Sequence, residues 1–360
     1  MSAASPGSSP RGQEPFPAEP GPAEPREEVP GGAVDVHAHF VAPAVLQELR
    51  RNGQAYGIRV EEGERGPVLH FPRTASRPFF AAMTDLDRRL EEMDRQRVAF
   101  ALLSTWVDIF GYDLDGEEAV RYCRLVNNAL AEAVRSRPDR LAALATVPAA
   151  HPAAARELER AVLQLGMRGL FLGTNILGRN LDDPLLEPLW QAAEGLDVPV
   201  VLHPVNTPAR ERLASYYLGN LIGNPLETTV AAASLILGGV LDRYPGLRVV
   251  LLHGGGYFPW AVGRLDHGYR VRPETRARAA RTPGEYVKRF HYDTVVYDRR
   301  ILAALAGVVG WERILLGSDC PFDMQLPEPV RFVRESVQDP EDFERVCRKN
   351  AAAIFGLAGR

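Results

Sequence analysis

Lysine is almost missing from this chain: of its 42 basic residues only Lys288 and Lys349 are lysines, and the rest are arginine. Both lie in helical patterns far downstream, away from the strand ends where four of the eight histidines gather. Cysteine is scarce as well. Cys123, Cys320 and Cys347 are odd in number and have no C-x-x-C spacing, which excludes a disulfide framework and suggests a reducing compartment. No apolar run approaches the ~20 residues that span a bilayer, so no membrane segment is expected. The first residues show no charged start followed by an apolar block, which argues against a secretory signal. There is no excess of positive charge either: the formal net charge is −4, whereas phosphate backbones call for a basic face, so nucleic acid is not an expected partner. These absences leave a cytoplasmic enzyme or binding protein.

What is present is ordinary globular composition, 46% hydrophobic and 24% charged, in 360 residues, enough for one large α/β barrel or two smaller domains. Residues 1–32 are the exception. Rich in Pro, Gly, Ser, Ala and Glu, with Phe16 as their only aromatic, they cannot bury enough apolar surface to offset ordering entropy and read as a disordered tail. From Ala33 a rhythm of short apolar runs and helical stretches begins. The runs are AVDVHAH, AFALLST, LAALATVP, RGLFLGT, PVVLHP, RVVLLHGG, YDTVVYD and RILLGSD. Eight such runs alternating with helices predict an α/β fold, a (β/α)8 TIM barrel over residues 33–357, with its active site where the strands end. Residues 52–80 break the rhythm with short extended pieces, and predict a small β insertion over the mouth after strand one, carrying substrate contacts.

Polar residues fall at those strand ends. His37 and His39 close the first run, His203 the fifth, His253 the sixth and Asp319 the eighth. Any one histidine after a strand is most simply a hydrogen-bonded core or loop residue. Five groups at one end of a barrel are much harder to explain that way. Residues two apart in a strand face the same side, so His37 and His39 both point to the axis. Three imidazoles and a carboxylate suit a single divalent ion of the zinc type. That leaves His253 as a general acid/base, since imidazole exchanges protons near neutrality. Gly254, Gly255 and Gly256 would let substrate approach the backbone, or form a simple loop. Of the remaining histidines, His151, His267 and His291 carry no expectation, and only His70, in the insertion, is placed to reach substrate.

The segments DVHAHF, RPFFAAMTDLDRRLEEMD, VVLHP, LLHGGGYFPWAVGRLD, EYVKRF and LLGSDCPF resemble, in order and spacing, the metal-dependent decarboxylase branch of the amidohydrolase superfamily, in particular the aminocarboxymuconate-semialdehyde decarboxylases. The resemblance runs from about Val34 to Phe355. It implies that His37, His39, His203 and Asp319 bind zinc and that His253 is the catalytic acid/base. It also implies that Arg77 holds a substrate carboxylate and that Arg264 reaches into a neighbouring subunit's site, making a homodimer the active form. Binuclear members bridge two metals with a lysine ending strand four; here that strand ends GLFLGTNI, so one metal is favoured. Val205 and Asn206 stand where those enzymes carry an aromatic and an acidic residue, and Cys320 replaces an aromatic after Asp319, where it is either a further soft ligand or turned away.

The resulting expectation is a zinc-dependent, non-oxidative decarboxylase of a small unsaturated or aromatic carboxylic acid, such as aminocarboxymuconate semialdehyde or a hydroxybenzoate. The same parts would serve a mononuclear-metal hydrolase or hydratase. A barrel that binds metal or ligand without catalysis is the reading from another class.

Overall fold

A computed structural model of the chain describes residues 29–209 and 211–357. The expected tail, 1–32, lies outside the described residues except for its last four, where Gly32 donates a 2.7 Å backbone hydrogen bond to Val29 and Val29 is buried.

Ten strands occur among the described residues: β1 (Ala33–His39), β2 (Arg59–Glu61), β3 (Val68–His70), β4 (Val98–Ser104), β5 (Leu141–Ala143), β6 (Leu170–Gly173), β7 (Val200–His203), β8 (Val249–Leu251), β9 (Phe290–Asp293) and β10 (Ile314–Leu315). Eight of them are parallel and form the runs β1-β4-β5 and β6-β7-β8-β9-β10. The two seams between these runs are closed by parallel bridges, Ala145 to Leu170 and Ala38 to Cys320. Backbone bonds reinforce them, Phe171 N to Ala145 O at 2.8 Å on one side and Val36 N to Leu316 O at 3.0 Å on the other. The result is the predicted (β/α)8 barrel. Its strands are covered on both faces, which is why they read as unbroken apolar runs; every residue of β1 is buried.

The predicted insertion is present as a two-stranded antiparallel hairpin, β2 with β3, pairing Arg59 with His70 and Glu61 with Val68. One strand sits earlier than its apolar run suggested. The run YDTVVYD begins at Tyr292, whereas β9 spans Phe290–Asp293, because the backbone of Val249–Leu251 pairs with Phe290–Tyr292. The pairing in the sheet therefore outweighs the local β-branched content of Thr294–Val296.

The helix Leu86–Arg95 shows how the outer layer supports the mouth. Asp85 caps it by accepting from Arg88 N at 3.0 Å, and Leu90 and Met93 face inward. On the same face lies a buried arginine. Arg89 donates through Nη2 to the carbonyls of His39, at 2.6 Å, and Cys320, at 3.3 Å, so one cation holds both sides of the seam between β10 and β1.

Candidate active site

The five residues singled out at strand ends come together. Nε2 of His37 and Nε2 of His39 each lie 3.2 Å from Oδ1 of Asp319. The other carboxylate oxygen, Oδ2, faces Nε2 of His253 at 3.4 Å. The His203 ring stands 5.4 Å from that of His37, 5.1 Å from that of His39 and 5.1 Å from that of His253, edge to face in each case. One ligating atom from each of His37, His203, His253 and Asp319 lies within 4.8 Å of the others.

Local structure explains why these side chains point inward. Each outer nitrogen of the first three imidazoles has an acceptor: His37 Nδ1 has Asp293 Oδ2 at 2.6 Å, His39 Nδ1 has the Thr105 carbonyl at 3.0 Å, and His203 Nδ1 has the Pro204 carbonyl at 3.0 Å. With a proton on Nδ1, the Nε2 lone pair of each ring is turned to the cluster. Asp35 stitches β1 to the segment bearing Asp319. Its carboxylate accepts from Ser318 Oγ at 2.5 Å, Ser318 N at 3.1 Å and His37 N at 2.9 Å. Asp319 itself sits at φ 61° and His253 at φ 55°, left-handed conformations that non-glycine residues adopt at a cost and that cluster where function demands them.

The electrostatics favour a cation at this spot. Burial opposes charge on His37, yet the Asp319 and Asp293 carboxylates outweigh it and hold its pKa up at about 10, a preference for positive charge that a bound ion would meet in place of the Nε2 proton. Burial lowers the pKa of His39 and, helped by the neighbouring imidazoles, that of His203, which keeps both neutral and able to ligate. Against its own desolvation, Asp319 is held well below the usual carboxylate range, first by His37. A metal ion passes a direct test of fit. His37 Nε2, His39 Nε2 and Asp319 Oδ1 are all buried and, apart from facing one another at 3.2 Å, have no hydrogen-bond partner among the described residues, a costly arrangement for polar atoms unless something binds them. Donor atoms around a tetrahedral zinc lie roughly 3.3–3.6 Å apart, close to the 3.2 Å separations found here. The donor set therefore fits one divalent ion.

The end of β6 has no room for a side chain that could bridge a second ion. At Gly173, which ends β6, an added Cβ would come within 2.7 Å of Val205 Cγ2 and 3.0 Å of Tyr112 Cε2. Val205 and Asn206 thus have a place in the site's wall: both line a cavity of about 780 Å³ that opens over His203, His253 and Asp319.

Arg77 also lines this cavity, with its guanidinium bound by Asp108 through Nε at 2.8 Å and Nη2 at 3.1 Å, and lying over the rings of Trp106 and Phe322. Other candidates are not brought together. Arg264 is exposed on the helix Phe258–Val271, outside the cavity lining, and forms no ion pair or side-chain hydrogen bond among the described residues. His70 is paired within the hairpin to Glu61 at 3.0 Å and does not line the cavity. Cys320 is buried beside Arg89, with its thiol pushed up to about 11 by desolvation, and is turned away from the ligand cluster. The three glycines after His253 serve packing instead of substrate approach. A Cβ would meet Val296 at 2.4 Å from Gly254, Tyr292 at 2.6 Å from Gly255 and the Pro225 carbonyl at 2.1 Å from Gly256, and all three have positive φ.

Several residues have no counterpart among the sequence expectations. Asp293 stayed hidden because the seventh strand was placed two residues late, which put it near the start of the strand instead of its end. Asp35 looked like one polar residue in an apolar strand. Arg89 and Asp108 gave no local signal at all, since their partners lie 50 and 31 positions away.

A closed parallel barrel with one metal-competent cluster at the strand ends, among the described residues, defines a class, the metal-dependent barrel enzymes. Residues 34–357 match the family model described as amidohydrolase, and the chain belongs to that family. It is 35% identical over 277 residues to the 2-amino-3-carboxymuconate-6-semialdehyde decarboxylase of Dictyostelium discoideum, covering 76% of this chain and 77% of that protein. The crystal structure of 5-carboxyvanillate decarboxylase from Sphingomonas paucimobilis matches with a TM-score of 0.77 at 26% identity, over 90% of this chain and 99% of that one. A dihydroxybenzoic acid decarboxylase from Polaromonas, solved with manganese and the inhibitor 2-nitroresorcinol, matches with a TM-score of 0.75 at 25% identity, over 91% of this chain and 98% of that one. The chain is a carboxy-lyase of the metal-dependent decarboxylase branch of the amidohydrolase superfamily. These relatives do not favour the hydrolase or hydratase reading, nor the non-catalytic barrel.

Proposed function

We propose that this chain removes carbon dioxide, without oxidation, from a small unsaturated or aromatic carboxylic acid, either an aminocarboxymuconate semialdehyde or a hydroxybenzoate-type acid. The observation that carries this reading is the convergence of His37 and His39 on one oxygen of Asp319, with all three atoms otherwise unpartnered, where Asp319 itself lines a cavity wide enough for such an acid.

In this assignment His37, His39, His203 and Asp319 hold the ion. The three imidazole nitrogens favour zinc over manganese, the ion in the Polaromonas neighbour. When bound, a divalent ion supplies Lewis acidity that stabilises negative charge developing on a substrate oxygen. His253 faces the opposite oxygen of Asp319, lines the cavity, and carries a buried Nδ1 with no partner among the described residues. These features support the role of His253 as the group that delivers a proton to the carbon that loses carbon dioxide. Arg77 orients the acid, since a guanidinium matches a carboxylate in shape and charge. The aromatic rings of Trp106 and Phe322 beside it hold the plane of the guanidinium.

Arg264 reaches no site among the described residues of its own chain and is assigned to the cavity of a second copy, so the active form is a homodimer. A cytoplasmic setting accords with three free, buried cysteines and with the lack, among the described residues, of a helix long and apolar enough to cross a membrane. The test is to load the purified protein separately with zinc and manganese, and to follow carbon dioxide release and ultraviolet absorbance over a panel of these acids. Release from at least one acid, dependent on the ion, is expected; lactone opening without carbon dioxide release from any acid contradicts the reading.

A further inference from the structure

The two edges of the Arg77 guanidinium are not equivalent. Its Nε and Nη2 meet both oxygens of Asp108, at 2.8 Å and 3.1 Å, and its own backbone N–H adds a 2.9 Å bond to the same carboxylate. Trp106 and Phe322, with ring centres 5.2 Å and 5.7 Å from the guanidinium carbon, fix the plane of the group. One edge is thus committed, while the outer edge, formed by Nη1 and the second N–H of Nη2, retains the fork that matches a carboxylate.

Across the cavity, the segment that follows β7 brings Tyr217 to the same place. Its hydroxyl lies against Arg77, and it lines the cavity together with Arg77, His253 and Asp319. Tyr216 and Tyr217 both adopt left-handed backbone conformations, at φ 56° and 58°, and the Tyr217 side chain remains half exposed instead of packing into the core. An aromatic residue held in such a conformation with its hydroxyl turned to a guanidinium suggests a binding role over a packing one.

We propose that Tyr217 is a specificity-determining residue that shares with Arg77 the grip on the substrate's carboxylate, and that Asp108 is the positioning residue that presents the outer edge of Arg77 to it. The assignment rests on the decarboxylase reading and adds its acid-recognising subsite. It makes the site selective for carboxylates over the phenols that decarboxylation leaves behind, so acid is bound and neutral product released. Two loops from different strands, the insertion after β1 and the segment after β7, close on one substrate group.

The experiment measures binding to the metal-loaded full chain by calorimetry, using two acid and phenol pairs: 2,6-dihydroxybenzoate with resorcinol, and 2-hydroxy-6-methylbenzoate with 3-methylphenol. Wild-type protein is expected to prefer at least one acid over its phenol. Tyr217→Phe and Asp108→Asn should each weaken that acid at least tenfold while leaving the phenol within twofold and metal content unchanged. Arg77→Lys, which keeps the charge but cannot bridge Asp108 and a second carboxylate, should show the same selective loss. The proposal is overturned if wild type prefers neither acid, if Tyr217→Phe or Asp108→Asn leaves the preference intact, or if acid and phenol weaken together. Selective binding without carbon dioxide release from any acid would instead leave this subsite standing and refute the decarboxylase reading.

Discussion

Oδ2 of Asp293 lies 2.6 Å from Nδ1 of His37, although the two residues are 256 positions apart. The other oxygen of Asp293 accepts from Gly254 N at 2.8 Å, so one buried carboxylate orients the first proposed ligand and anchors the turn that bears His253. Carboxylates behind metal-bound imidazoles fix the ring and raise its basicity, and their loss typically costs about 10- to 100-fold in metal affinity or activity.

Asp293→Asn should therefore weaken zinc affinity by roughly 10- to 100-fold, measured by competition with a chromophoric chelator. Unchanged affinity would show that Asp293 is only a structural bond.

A single ion per chain is the expected stoichiometry, because at Gly173 Val205 and Tyr112 leave no room for a side chain that could bridge two. Metal analysis of the loaded protein should give one ion per chain. Gly173→Ala should lower stability by about 1–3 kcal/mol, the usual cost of overpacking, seen as a lower melting temperature. Two ions per chain, or a fully stable Gly173→Ala variant, would refute this account of the wall.

His291, within β9, titrates at about 4, lowered by burial and then by the charges of Arg313 and Arg248. An unfolded histidine keeps its proton up to roughly pH 6.5. Between those values the unfolded chain binds the extra proton, so stability should fall as pH drops from about 6.5 towards 4. Urea unfolding of His291→Gln should show a shallower loss over that window than wild type; identical slopes would contradict the assignment.

Arg264, exposed on the helix Phe258–Val271, should matter only in the dimer. Arg264→Ala should lose most activity while keeping its metal. Mixing it with inactive His253→Ala chains should restore part of that activity, because one site in each mixed dimer would then be intact. No recovery in dimers shown to be mixed would rule out a role in trans.

The candidate site was legible because barrel strands put chemistry at their ends, and His37, His39, His203, His253 and Asp319 stand immediately after or within unmistakable apolar runs. The hairpin insertion was legible for the converse reason, since its residues break the helical rhythm. Asp293 was not, because the β-branched residues Thr294–Val296 drew the strand towards themselves while backbone pairing with β8 placed it earlier. Arg89, Asp108 and Tyr217 were invisible for a different reason. Each acts through one contact made by tertiary folding, and nothing in the spacing of an exposed-looking charge or a loop tyrosine announces its partner. The glycines after His253 were visible, but their backbone crowding against Val296, Tyr292 and Pro225 was not.

The central claim is that His37 and His39 hold a metal ion while His253 moves the proton. The most direct test is metal content by mass spectrometry, together with carbon dioxide release, for His37→Ala, His39→Ala and His253→Ala beside wild type. His37→Ala and His39→Ala should lose the ion and all turnover, while His253→Ala should keep the ion and lose turnover alone. Full metal retention in both His37→Ala and His39→Ala would contradict it at its first step.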